Sequence, residues 1–167
     1  MRGFYWLVEG ALAGCGRPGH VASRRGKALD HGEVEEALDA DLAWLREQGI
    51  GAVLTMTETP LAAEALARHG LDALHLPVED MTAPTPEQFE RALRFIDHHR
   101  LRGTPVVVHC LMGQGRTGVI LAAYLVRQGA TPERALAEVR AICPGAVENP
   151  EQERALAAFA ARRDWII

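Results

Sequence analysis

A chain of 167 residues can bury one sizeable core without disulfides or metals, and 48% hydrophobic with 24% charged residues excludes a disordered or fibrous protein. A net charge of -4 excludes general nucleic-acid binding, which needs a strongly basic face, and leaves room only for a local positive site. The longest later apolar run, Val119 to Val126, is far short of the roughly 20 residues that span a bilayer, so no membrane partner is expected.

The start, MRGFYWLVEGALAG, is interrupted by Glu9 before it reaches signal-peptide length and reads as strands over Phe4 to Val8 and Ala11 to Ala13. GCGRPGH follows as a loop and ASRRGK as a solvated segment. Asp30 and Glu33 make a capping box for a helix whose face carries Val34, Leu38, Leu42 and Leu45, widened by Ala37 and Trp44, until Gly49 closes it. Ile50 to Thr55 is a buried strand, TMTET a loop, Pro60 to His69 a helix ahead of Gly70, and Leu74 to Leu76 another strand.

After the loop VEDMTAP, Thr85, Pro86 and Gln88 open a helix that runs through Phe89, Leu93 and Ile96 toward Gly103. Val106 to Val108, apolar and β-branched throughout, fits a central strand covered on both faces. The helix from Thr117 is apolar nearly all round and therefore central as well. Thr131-Pro132-Glu133 and Asn149-Pro150 with Gln152 open the last two helices. With no repeat or linker, the alternation predicts one α/β domain over residues 1–167 whose C-terminal part is mostly helical.

The chemistry lies in HCLMGQGRTG, where the strand ending at His109 hands over to that central helix. Loop N–H groups, the orphan donors of a helix N-terminus and its positive dipole end converge there, and glycines at 113, 115 and 118 let backbone approach a ligand closely. Phosphate is the expected guest, with vanadate or sulfate as stand-ins. Leu111, Met112, Gly113, Gln114 and Gly115 would supply the amides, and Arg116 a bidentate fork that lysine cannot reproduce. The same donors stabilise a thiolate, which makes Cys110 a candidate nucleophile.

Cys110, five residues and Arg116-Thr117-Gly118 resemble the Cys-x5-Arg signature of the cysteine-dependent protein tyrosine phosphatases. The likeness extends through LVEGALAG, LTMTE, PVEDMTAPTPEQF and CPGAVENPEQE, at the size of the small atypical dual-specificity phosphatases. It implies a single-domain phosphatase fold with a central, mostly parallel sheet flanked by helices. The activity implied is hydrolysis of phosphotyrosine, and of phosphoserine and phosphothreonine where the cleft is shallow, through a cysteinyl-phosphate. Asp80, rather than the adjacent Glu79, matches the family's general acid and later base. The resemblance gives Thr117 a hydroxyl bond to the Cys110 sulfur and His109 the task of orienting the loop from behind. It sets Glu148 and Gln152 beside the loop as candidates for positioning water, although Gln152 is equally a capping residue. No metal or other cofactor is implied; a monomer is expected.

Two other readings use the same residues. A phosphoinositide or RNA 5′-phosphate phosphatase keeps the fold, but LMGQG has none of the lysines often carried by lipid-directed relatives. A non-catalytic phosphate-binding module, or a sulfur transferase, leaves the conjunction of Cys110, Arg116 and Asp80 without a purpose. Three cysteines without metal spacing suggest a reducing, cytoplasmic setting, with Cys15 and Cys143 as small buried or loop residues. His20, His31, His69, His75, His98 and His99 have no ligand spacing. Arg17, Arg24, Arg25 and Lys27 form either a basic rim that attracts phosphorylated substrates or a solvated loop.

Overall fold

The structure, a computed structural model, describes residues 1–21 and 26–162. Five strands, β1 (Tyr5–Val8), β2 (Leu12–Cys15), β3 (Ala52–Thr55), β4 (Asp72–His75) and β5 (Val106–His109), form one sheet in the order β1-β2-β5-β3-β4. Only β1 runs antiparallel to its neighbour; β2, β5, β3 and β4 are parallel. The six helices are α1 (His31–Glu47), α2 (Ala63–Arg68), α3 (Pro86–Arg100), α4 (Gly115–Arg127), α5 (Pro132–Ile142) and α6 (Pro150–Ala161).

Strand alternation distributes the core over the two faces of the sheet. Leu12, Ala52, Leu54, Val106 and Val108 join α3, α4, α5 and α6 in one cluster. Ala13, Val53 and Val107 point the other way, onto α1 and α2. Both faces of β5 are therefore covered, as its unbroken β-branched run requires. Helix α4 is buried everywhere except at Leu125 and Arg127. Stacked Phe89 and Phe159, 5.0 Å apart, join α3 to α6, and Phe4 meets Trp44 edge to face to join the N-terminus to α1.

The capping boxes of α1 and α3 and the caps of α5 and α6 form at the residues that signal them. Elsewhere the boundaries move. Strand β2 extends two residues further than expected, to Cys15, because it pairs with β5 up to His109. Helix α4 starts at Gly115, so Arg116 lies within its first turn. Helix α2 starts at Ala63 rather than Pro60, and Ala62 offers no side-chain cap. The guanidinium of Arg17 accounts for the shortening, since it takes the carbonyls of Thr59 and Pro60 at 2.7 and 3.0 Å and holds that segment outside the helix. Val34, expected on the buried face of α1, is 42% exposed, because its first turn has no cover among the described residues.

Candidate active site

Strands β2, β3 and β5 all end at the same edge of the sheet, the edge at which open parallel sheets carry their sites. Cys110 leaves β5 there and is 2% exposed. Residues 111–114 then turn into α4. Gly113 makes the turn feasible: its φ is +76°, and a Cβ would stand 2.5 Å from the Cys15 carbonyl carbon. Three further bonds hold the loop: Tyr5 donates its hydroxyl to the Gly113 carbonyl at 2.8 Å, Arg17 N–H reaches the Leu111 carbonyl at 2.9 Å, and Val147 N–H reaches the Gln114 carbonyl at 3.2 Å. The Gly115 amide, expected to be open to phosphate, donates to the Glu148 carboxylate at 2.9 Å. An anion thus already occupies one donor of the α4 N-terminus, the place where such a group is favoured.

Arg116 is 3% exposed, and its guanidinium opens into a cleft of about 320 Å³ lined by Arg17, Thr57, Glu58, Thr59, Asp80 and Leu111. Its Nη1 donates to the Glu58 carboxylate and, at 2.8 Å, to the Val78 carbonyl. Its Nη2 lies 3.1 Å from Asp80 Oδ1. The arrangement unites Arg116 with Asp80 across 36 residues of sequence, and places the carboxyl that can move a proton beside the cation that can hold phosphoryl oxygens. Glu79 is absent from the cleft wall.

Asp80 also accepts from Met81 N–H at 3.0 Å, and Met81 itself has a φ of +65°. A non-glycine residue in that region is held by its surroundings. Here Asn149 donates to the Met81 carbonyl at 2.8 Å, and Gln152 donates to the Thr82 carbonyl at 3.2 Å while accepting from Glu148 N–H at 2.7 Å. The segment from Glu148 to Gln152 therefore ties the Asp80 loop to the Cys110 loop. The amide of Gln152, 1% exposed, has protein partners at both ends.

His109 is fully buried between Thr55, whose hydroxyl lies 2.8 Å from Nε2, and the Cys110 carbonyl, 3.2 Å from Nδ1. These partners suit a neutral ring with the proton on Nδ1. Burial pushes the imidazole pKa down to about 3 from an ordinary value of 6.5. Between those values the unfolded chain binds the proton and the folded chain does not, so stability is full above pH 6.5 and is lost as the pH falls through the window. From pH 7 to pH 5, urea unfolding of the native protein should lose about 2 kcal/mol more than that of His109→Asn. Equal losses in the two proteins would show that the ring is not held neutral.

The hydroxyl of Thr117 is buried and has no hydrogen-bond partner among the described residues, so the bond to sulfur that the resemblance implies is not formed here.

Arg17 lines the cleft, but not as a solvated rim residue. Its guanidinium turns onto the loop after β3, donating to Thr57 Oγ1 at 2.6 Å as well as to the two carbonyls named above. Arg24 and Arg25 lie outside the described residues, and Lys27 lines a separate pocket. Cys15 is fully buried, its thiol pushed up by desolvation, and Cys143 is half-buried with its sulfur 4.0 Å from the Gly113 carbonyl. His69 pairs with Asp39 and His75 with the Thr57 carbonyl, and no group of three or more potential metal ligands occurs among the described residues.

Sequence reasoning missed Glu58 and the part played by Arg17. The available signal was position, since TMTET follows a buried strand and such loops gather at one edge of a parallel sheet.

The chain and its fold have counterparts in known proteins. The solved structure of Tk-PTP in its active form superposes with a TM-score of 0.77 at 30% identity, covering 96% of this chain and 97% of that one. Dual specificity protein phosphatase 12 of Mus musculus is 30% identical over 85% of this chain and 44% of its own length. A phosphatidylglycerophosphate phosphatase of Arabidopsis thaliana, PTPMT2, is 28% identical over 71% of this chain and 54% of its own. The chain spans 63% of one curated relative and 20% of another, so it matches only part of either. A family model described as a polymorphic toxin system DSP-PTPase phosphatase, Tc-R-P, matches residues 30–130, which include Glu58, Asp80, Cys110 and Arg116. By that match and the likeness to Tk-PTP along nearly its entire length, the chain belongs to the DSP-PTPase phosphatase family.

Proposed function

We propose that this protein is a protein phosphatase, a single catalytic domain over residues 1–167 that hydrolyses phosphotyrosine, and phosphoserine or phosphothreonine where they reach the sulfur, without a metal ion. The observation that carries the reading is the buried Arg116 guanidinium, in the turn just beyond Cys110, with Asp80 3.1 Å from it. The Cys110 thiolate attacks phosphorus and forms the S–P bond as the P–O bond to the leaving group breaks. Asp80 gives its proton to the departing oxygen, because a phenolate whose conjugate acid has a pKa of about 10 leaves slowly at neutral pH. Arg116 and the loop amides hold the equatorial oxygens. Water then attacks the cysteinyl-phosphate, Asp80 takes its proton, and phosphate and thiolate are released.

Around this chemistry His109 orients the loop and Thr117 donates to the thiolate. Glu148 and Gln152 hold the two loops in register and flank the approach of water. The protein works as a monomer in the cytoplasm. No helix among the described residues is long and apolar enough to cross a membrane.

The test is hydrolysis of a phosphotyrosine peptide in chelator and reductant by the native protein and Asp80→Asn. The variant should lose on the order of 10²–10⁴-fold in kcat, and much less on an aryl phosphate with a strongly acidic leaving group. Activity that needs added metal, or that Asp80→Asn leaves intact on both substrates, would overturn the reading.

A further inference from the structure

Glu58 neither attacks phosphorus nor moves a proton in that reaction, yet its carboxylate is bonded to Nη1 of Arg116 inside the cleft. The second hydrogen of that nitrogen goes to the Val78 carbonyl at 2.8 Å, so Nη1 has none left for a substrate. The remaining edge, Nε and Nη2, with Asp80 Oδ1 3.1 Å from Nη2, is one fork wide and fits one phosphoryl group.

Nor is the Glu58 loop free to swing away. Arg17 bonds on both sides of it, to Thr57 Oγ1 at 2.6 Å and to the carbonyls of Thr59 and Pro60 at 2.7 and 3.0 Å. Thr57 Oγ1 donates in turn to the Thr59 carbonyl at 2.8 Å. The carboxylate is therefore a fixed negative charge in the wall, and with its side chain 57% exposed it faces whatever enters. A second anionic group close to the scissile phosphate meets that charge while Nη1 of Arg116 is committed to Glu58 and Val78 and the Arg17 guanidinium in the same wall is committed to Thr57, Thr59 and Pro60, and like charges at such separation repel.

We propose that Glu58 determines the substrate class of this cleft: a single phosphoryl group on a protein side chain is admitted, and polyanions such as phosphoinositide headgroups are turned away. The inference rests on the phosphatase reading above.

The test is steady-state kinetics of the native protein, E58Q and E58A on a phosphotyrosine peptide and on a soluble inositol bisphosphate, with vanadate binding measured in parallel. E58Q keeps an acceptor for Nη1 and removes the charge. It should raise the ratio of kcat/KM for the bisphosphate over the peptide by about tenfold at low salt, with the gain shrinking near 0.5 M salt as screening takes over, roughly. E58A removes the acceptor too and should lower kcat on both substrates. If the native protein hydrolyses the peptide but E58Q leaves the ratio unchanged, or if the native protein already prefers the bisphosphate, Glu58 does not set specificity and the phosphatase reading stands. If the native protein neither turns over either substrate nor binds vanadate, the phosphatase reading fails and this inference fails with it.

Discussion

Cys110→Ser is expected to hydrolyse phosphotyrosine on the order of 10⁴–10⁶-fold more slowly than the native protein, the scale on which removing a nucleophile acts. Serine fits the space and keeps a hydroxyl where the thiol was, so the loss is one of ionisation and nucleophilicity. A serine hydroxyl needs a base, and none is placed to serve it. The ring nitrogens of His109 are taken by Thr55 and the Cys110 carbonyl, and Asp80 faces Arg116 on the cleft side. Vanadate and phosphate should still bind, since Arg116 and the loop amides are untouched. Single-turnover kinetics with a phosphotyrosine peptide, beside a binding titration, checks both statements. Residual activity within tenfold of the native enzyme would exclude a cysteinyl-phosphate.

Arg116→Lys carries the second large effect. An ammonium offers a point charge where the phosphoryl group requires a planar fork, so kcat should fall on the order of 10²–10³-fold even though the charge is conserved. Arg116→Ala should fall further and should also cost stability. The buried Val78 carbonyl loses its donor, a loss of about 1–3 kcal/mol. Glu58 and Asp80 add little to that figure, because both side chains are 57% exposed and water can replace the guanidinium. Chemical denaturation and steady-state rates on the three proteins separate the two losses. A lysine variant as active as the native protein would mean that Arg116 contributes charge alone.

Much of the fold was legible because its signals are local. Asp30 with Glu33 and Thr85 with Pro86 and Gln88 sit three residues apart and close their hydrogen bonds within one turn. Val106 to Val108 could only be a strand covered on both sides. The Cys110 to Arg116 loop was equally legible, since its glycines, its helix start and its two reactive side chains fall within one short stretch.

Glu58 and Arg17 were not legible, for a physical reason. Their roles depend on contacts between loops that are distant in the chain, 58 residues for Arg116 with Glu58 and 40 for Arg17 with Thr57. No periodicity or cap records such a meeting. The start of α2 was misplaced for the same reason, its first carbonyls having been claimed by Arg17. Asn149 shows the two kinds of information in one side chain: its Oδ1 caps α6 at Gln152 N–H, as the local pattern demands, while its Nδ2 reaches the Met81 carbonyl 68 residues away.

By itself, then, the sequence determined an α/β sheet with a cysteine and an arginine on an anion-cradling loop at its centre, because short-range sterics, caps and apolar periodicity act within a few residues. Beyond Asp80 and Glu148, which the family resemblance set near that loop, tertiary structure decided that Glu58 stands there too and which donor each carboxylate takes. Parallel strands bring the loops of residues 57–60, 78–82 and 110–116 to one edge of the sheet, and only there do Glu58, Asp80 and Arg116 meet.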